Sequence, residues 1–210
     1  MKTIKGIVWF DIETPVEASD ALLYEGSAIA QIASIVTDFE LNPIDQRDIK
    51  VLFKVSEANP LILQKIGYSK RVWDNEAYMP NKAAEKFVEF VSQYACVTKV
   101  NYRGPYQSCI LAGHNIRSFD IPLIIKWYKM INEHYGLNLY FPGSTNPSFD
   151  TRSLIGLYGF LRKEFFPSEA LTYLCERFDI KLGERHNALD DLNKTIEIAR
   201  IITKQIKLDN

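Results

Sequence analysis

The chain has 210 residues, 47% of them hydrophobic and 24% charged, with a formal net charge of −1. That length and apolar share fit one globular domain with a sizeable core, spanning residues 1–210, and argue against a disordered or fibrous chain. A near-neutral total excludes a protein that coats duplex DNA through bulk positive charge, yet leaves room for a pocket that holds a few nucleotides.

The elements follow in chain order. Ile4 to Phe10 reads as a strand, with Ile7 and Trp9 on one face and Val8 and Phe10 on the other. Both faces are apolar, the pattern of a central strand with helices above and below. Ile29 to Thr37 and Ile49 to Val55 read as two further strands, with Asn42-Pro43 as turn material between them. Three strands on short links predict an antiparallel meander. The period then changes. Asn81 to Tyr94 carries Ala84, Phe87, Val88 and Val91 at helical spacing behind a candidate N-cap, Asn81. Ser108 to Ala112 reads as a strand and Phe119 to Tyr135 as a helix, Pro122 being tolerable in its first turn. A short strand is expected near Leu137 to Tyr140, followed by helices over Asp150 to Phe160, Ser168 to Phe178 and Ala188 to Ile206. The order predicts an α/β fold with a mixed sheet. Lys99 to Gln107 stands out as a small insertion between a helix and a strand, and its Tyr102, Arg103 and Tyr106 are suited either to a single strand or to a plain surface loop.

Cys96, Cys109 and Cys175 lie far apart without metal spacing, which reads as buried thiols of a reduced, intracellular protein. The apolar run of MKTIKGIVWFD is too short for a signal peptide, and no stretch approaches the roughly 18–20 apolar residues of a membrane span. The expectation is a cytoplasmic protein with no membrane partner.

Three stretches carry chemistry. In FDIET, Asp11 and Glu13 are two apart and share a face, about 7 Å from each other, continuing the side of Ile7 and Trp9. Two carboxylates leaving an apolar strand either take up protons or gather a cation, unless the strand simply runs out into solvent. In GHNIRSFDIP, Asp120 falls in a helix's first turn, where the helix dipole alone explains an acid, or where it joins Asp11 at the ligand-binding edge of the sheet. His114 and Asn115 read as turn residues. In GERHNALDD, a helical wheel puts Ala188, Leu189, Leu192, Ile196 and Ala199 on the core stripe. Asp190 falls on the wet side, paired with Lys194 one turn on. Asp191 falls between Ile198 and Ile202 at the border of the buried side. It is expected to have no cationic partner three or four positions away on the helix. His186, just ahead of the helix, is the side chain best suited to accept a proton near neutral pH.

Together FDIET, HNIRSFD and HNALDD resemble the three motifs of the DEDDh 3′→5′ exonucleases, a family that includes the proofreading epsilon subunit of bacterial DNA polymerase III and ribonuclease T. The resemblance runs from Ile4 to about Ile202. It implies a ribonuclease H-like fold, with three antiparallel strands and two parallel ones flanked by helices. It implies a metal set of Asp11, Glu13, Asp120 and Asp191 holding two divalent cations, Mg²⁺ or Mn²⁺, with His186 as general base. It implies a nucleotide site at Ile12, Thr14, Asn115 and Phe119, and single-stranded DNA or RNA 3′ ends as partners, DNA favoured. Asp150 matches an Asp-Thr pair that opens a helix and is assigned as its cap. The chain has Pro15-Val16 where the family often carries Thr-Gly in the loop that holds the terminal nucleotide. No tether for a polymerase or other replication partner is evident, which favours a stand-alone enzyme. A non-catalytic binding module of the same fold is the alternative of a different class.

Overall fold

A computed structural model describes residues 6–21, 29–94, 97–101, 104–137, 139, 148–181 and 187–208, of which 97–101, 104–108 and 207–208 are described by backbone alone. The elements are β1 (Ile7–Glu13), α1 (Ala18–Ala21), β2 (Gln31–Thr37), β3 (Pro43–Lys50), α2 (Pro60–Lys65), α3 (Lys70–Glu76), α4 (Pro80–Gln93), β4 (Val97–Asn101), β5 (Gly104–Ser108), β6 (Ile110–Gly113), α5 (Asp120–Tyr135), β7 (Ser148–Asp150), α6 (Thr151–Arg162), α7 (Leu171–Arg177) and α8 (Ala188–Leu208).

Five strands form one sheet in the order β3-β2-β1-β6-β7. β1 pairs antiparallel with β2, and β2 with β3. β1 and β6 run parallel, as do β6 and β7. This is the expected mixed sheet, with β1 at its centre. Val8, Phe10 and Ile12 face one core with Phe87 and Phe90 of α4 and Leu123, Ile124 and Trp127 of α5. Ile7 and Trp9 face the other, with Leu192, Ile196 and Ala199 of α8. The apolar-on-both-faces pattern therefore does report a strand covered on both sides. α6 and α7 pack behind α8 through Ile155, Tyr158, Leu174, Ile198 and Ile202.

Several boundaries differ from the sequence reading, each for a local reason. β1 continues three residues past Phe10, because Asp11 to Glu13 keep pairing with β2. The third strand is Pro43–Lys50, not Ile49 to Val55. It is a largely exposed edge strand, PIDQRDIK, without the apolar alternation that marks a half-buried one. Pro43 is tolerated as its first residue because an edge strand can forgo one donor. α4 begins with Pro80 at its first turn rather than behind an Asn81 cap. The last strand is Ser148–Asp150, and Leu137 and Leu139 are not in a strand. Leu139 is instead held by both amide atoms of the Asn132 side chain. The insertion is a hairpin, β4 with β5; Tyr102 and Arg103 lie outside the described residues, as does Cys96. Cys109 and Cys175 are buried and form no disulfide. Among the described residues no helix is long and apolar enough to cross a membrane.

Gly113 ends β6 where that strand abuts Phe10. A Cβ there would lie 2.9 Å from the Phe10 carbonyl oxygen and 3.1 Å from the Cβ and Cδ1 of Ile116. Gly113→Ala is expected to cost about 1–3 kcal/mol through overpacking, a fall in Tm of ~3–8 °C for a chain of this size. Gly156→Ala, on an open face of α6, serves as the control and leaves Tm unchanged or slightly raised. Thermal unfolding of the two variants checks the contrast.

Candidate active site

The parallel pairing of β1, β6 and β7 brings their C-terminal ends to one edge of the sheet, the edge where α/β sheets hold ligands. Asp11 and Glu13 leave β1 there. The turn after β6 leads into α5, whose first residue is Asp120. Asp120 is only 3% exposed, and its Oδ1 accepts the Ile12 N–H at 3.0 Å. One hydrogen bond thus fixes the start of α5 to the strand between the two β1 carboxylates. Asp191 enters from α8, whose Ala188, Leu192 and Ile196 pack on the Trp9 face of the sheet, the face of Asp11 and Glu13.

The four carboxylates act on one another. Burial, and then the charge of Asp191, pushes the Asp11 pKa up to about 7. Burial, then Asp11, then Asp191 pushes Glu13 up to about 8. Asp120 is raised well above the ordinary carboxylate range by burial and by Asp11, and the Ile12 amide only partly opposes this. Residues far apart in sequence therefore share one anionic cup. Among the described residues, no group of three or more His, Cys, Asp and Glu side chains stands arranged to hold a metal ion. Asp120 is turned onto the Ile12 amide and Asp191 onto Lys194, so each spends an oxygen within the protein.

Lys194 corrects the reading of the last helix. Its ammonium reaches Asp190 Oδ2 and Asp191 Oδ1, both at 2.8 Å, and its side chain is only 6% exposed. Asp191 does have a cationic partner, three residues on. Lys194 stands at the i+3 spacing at which helix side chains meet, so the expectation that Asp191 has no cation within reach on the helix does not hold.

His186 lies outside the described residues. Of the expected nucleotide-site residues, Ile12 is 5% exposed and packs into the core with Val8 and Phe10, so its backbone N–H is its link to the site. Thr14 is buried, and its hydroxyl donates to the Val16 carbonyl at 2.8 Å. Phe119 is partly buried against the same core as Ile12. Asn115 adopts a left-handed backbone, φ 61°, and its Oδ1 accepts from Arg152 at 2.7 Å.

Two supports of the site were not foreseen. Asp150 caps α6, as expected, accepting the Arg152 N–H at 3.0 Å. The same carboxylate also accepts the N–H groups of Asn115 and Arg117, at 3.1 and 3.2 Å. It thereby shapes the turn that delivers Asp120. His114 is no plain turn residue. Its ring nitrogens sit 2.8 Å from the Thr151 hydroxyl and 2.8 Å from the Glu169 carbonyl, and burial holds its pKa below the ordinary value. Arg152 adds an ion pair to Glu169. Beside these residues, Phe166 to Leu171 complete a cavity of about 540 Å³.

Residues 106–199 match the RNase_T family model, described as an exonuclease. The matched exonuclease segment contains Asp120, His186 and Asp191, and the first motif precedes it. No curated protein matches the sequence. The fold is similar to that of solved exonucleases. Escherichia coli exonuclease I in complex with a dT13 oligonucleotide superposes with a TM-score of 0.71 at 19% identity, over 97% of this chain and 42% of that one. Exonuclease I from Methylocaldum szegediense gives 0.68 at 22% identity, over 95% and 40%. A 3′-exonuclease described as recognising the histone mRNA stem-loop gives 0.67 at 14% identity, over 98% and 84%. The chain spans about two fifths of the exonuclease I chains it matches. At these identities the likeness is one of fold, the ribonuclease H-like arrangement that the motifs implied.

The raised acids make a pH prediction for the chelated protein. Asp11 and Glu13 hold protons more tightly folded than unfolded, so between about pH 4 and pH 8 the folded state binds more protons. Their contribution to stability therefore falls as pH rises through that window. In EDTA, Asp11→Asn is expected to raise Tm at pH 8 by ~4–8 °C, on the order of 2 kcal/mol of relieved repulsion and desolvation. Below about pH 3.5, under the ordinary carboxylate pKa, the two proteins should melt together. Unfolding curves across pH test the difference.

Proposed function

We propose that the chain is a metal-dependent 3′→5′ exonuclease that releases nucleoside 5′-monophosphates from the 3′ end of single-stranded nucleic acid, DNA favoured. The observation that carries the reading is the meeting of three segments' carboxylates at one sheet edge, where Asp120 is bonded to the Ile12 amide, burial raises Asp11, Glu13 and Asp120, and the charge of Asp191 adds to the rise of Asp11 and Glu13. A cup of carboxylates that resists ionisation is unstable empty and stabilised by cations. The exonuclease family match over residues 106–199 supports the same chemistry, and a zinc-bound form of E. coli exonuclease I with single-stranded DNA is among the structures of this fold.

The donor set fits hard divalent cations, because all four groups offer carboxylate oxygens and no sulfur. Asp11, Glu13, Asp120 and Asp191 would hold two Mg²⁺ or Mn²⁺ ions. Such ions would supply the positive charge that neutralises these carboxylates and stabilises the attacking and leaving oxygens of a phosphodiester. The chain's own residues do the rest. Asp120 is held to β1 through its Oδ1, bonded to the Ile12 N–H. His186 takes the proton of the attacking water, the role that suits a histidine titrating near neutral pH. Asn115, clamped by Arg152, and Phe119 flank the entrance to α5, where they meet the terminal nucleotide with Thr14 and the Ile12 backbone.

The dT13 complex of the similar exonuclease I favours DNA. The similarity to an exonuclease described with an mRNA stem-loop, over 84% of that protein, favours RNA as the second reading. Digestion of matched 3′- and 5′-labelled DNA and RNA oligomers, single- and double-stranded, with Mg²⁺ or Mn²⁺ separates them. Mononucleotide release from the 3′ end alone is the expected outcome. Release from the 5′ end, or internal cleavage, overturns the proposal. Asp11→Asn should reduce the rate to background. His186→Ala should lower kcat by about 10²–10⁴-fold while Mn²⁺ still binds. Loss of Mn²⁺ binding in His186→Ala would make the residue a ligand instead of a base.

A further inference from the structure

Lys194 is a buried cation that the proposed chemistry does not use. Its side chain is 6% exposed, on a helix packed on one side against the sheet and on the other against α6 and α7. Its ammonium sits between Asp190 Oδ2 and Asp191 Oδ1, 2.8 Å from each. From α7, the fully buried Cys175 lies within reach of its charge. An isolated ammonium is expensive to bury, and this one is retained where four carboxylates crowd.

We propose that Lys194 is the internal counter-cation of the anionic cup. It neutralises Asp191 when no metal is bound, and it lowers the cup's affinity for dications. This rests on the metal-site reading above. The physics sets both signs. Asp191 raises Asp11 and Glu13 by its negative charge, so a positive charge in contact with Asp191 offsets that repulsion in the metal-free protein. The same positive charge repels an incoming dication and occupies one of the two oxygens Asp191 has to offer it. Lys194 thus acts through Asp191 as a positioning residue and does not touch substrate.

The test uses the full chain, stripped with EDTA and then titrated with Mn²⁺, following both Tm and the calorimetric Kd. Lys194→Met keeps the aliphatic stem and removes the charge. It is expected to lower Tm in EDTA, to show a larger Mn²⁺-induced rise in Tm than the wild type, and to bind Mn²⁺ at least ~3-fold more tightly. Lys194→Gln, which keeps hydrogen-bond donors in a packed site, should give the same signs if the Met variant fails to fold. An equal fall in Tm with and without Mn²⁺, at unchanged Kd, would show that Lys194 only fills space and would overturn the inference. Weaker Mn²⁺ binding would overturn it too. A wild type whose Tm and heat signal ignore Mn²⁺ would overturn the metal-site reading itself, and this inference with it.

Discussion

The hydrogen bond from the Ile12 amide to Asp120 is the constraint on which the site depends. β1 is hydrophobic on both faces, but past Trp9 its ladder continues with β2 alone, and Asp11 and Glu13 emerge there only partly exposed. A third carboxylate brought to the same point by a helix N-terminus would normally be pushed away. The helix dipole favours an acid there, and the amide of the residue between Asp11 and Glu13 holds it in place. The arrangement keeps like charges together at the cost of their acidity, and the raised pKa values of Asp11 and Glu13 are the record of that compromise. Sites where neighbouring groups hold each other away from their usual ionisation are where chemistry is commonly done.

Topology explains how four acids from three segments meet. Parallel pairing of β1 with β6 and of β6 with β7 places three strand ends on one edge. Each successor element then starts from that edge: the turn to α5 after β6, and α6 directly after β7. Asp150 links the last two. Its carboxylate accepts three backbone N–H groups, two from the turn after β6 and one from α6. A residue that reads locally as a helix cap therefore also sets the path of a turn some 35 positions away, through which Asp120 is delivered.

Much of this was legible in the sequence where the local signal and the tertiary role coincide. β1 announced itself by apolar residues on both faces, and Asp11, Glu13, Asp120 and Asp191 by their setting against apolar periodicity and by their order. The reading weakened where packing overrode local pattern. β3 is an edge strand of mostly polar residues, so an amphipathicity template slid past it to Ile49 to Val55. β7 is three residues long, too short to show a period. The Lys194–Asp191 pair was legible as an i,i+3 spacing and was passed over, whereas the second buried face of α8 shows only once α6 and α7 are packed. No pattern along the chain could show that the Asp150 carboxylate bonds the turn after β6, since that contact exists only once β6 and β7 are paired.

The two buried faces of α8 have a consequence for Asp191. Ala188, Leu192, Ile196 and Ala199 lock the helix against the sheet, while Ile198 and Ile202 lock it against α6 and α7. A helix held on one stripe can roll by tens of degrees as side chains repack, and an acid at the stripe's border would wander with it. A helix held on two stripes has no such freedom, because a roll that relieves one contact compresses the other, and close-packed interiors resist both. Asp191 lies in line with the second of these stripes, between Ile198 and Ile202 on the wheel. Apolar packing along both stripes therefore fixes where Asp191 stands, and the Lys194 ammonium bonds its Oδ1. Precision at the polar centre is thus supplied by residues that carry no chemistry at all.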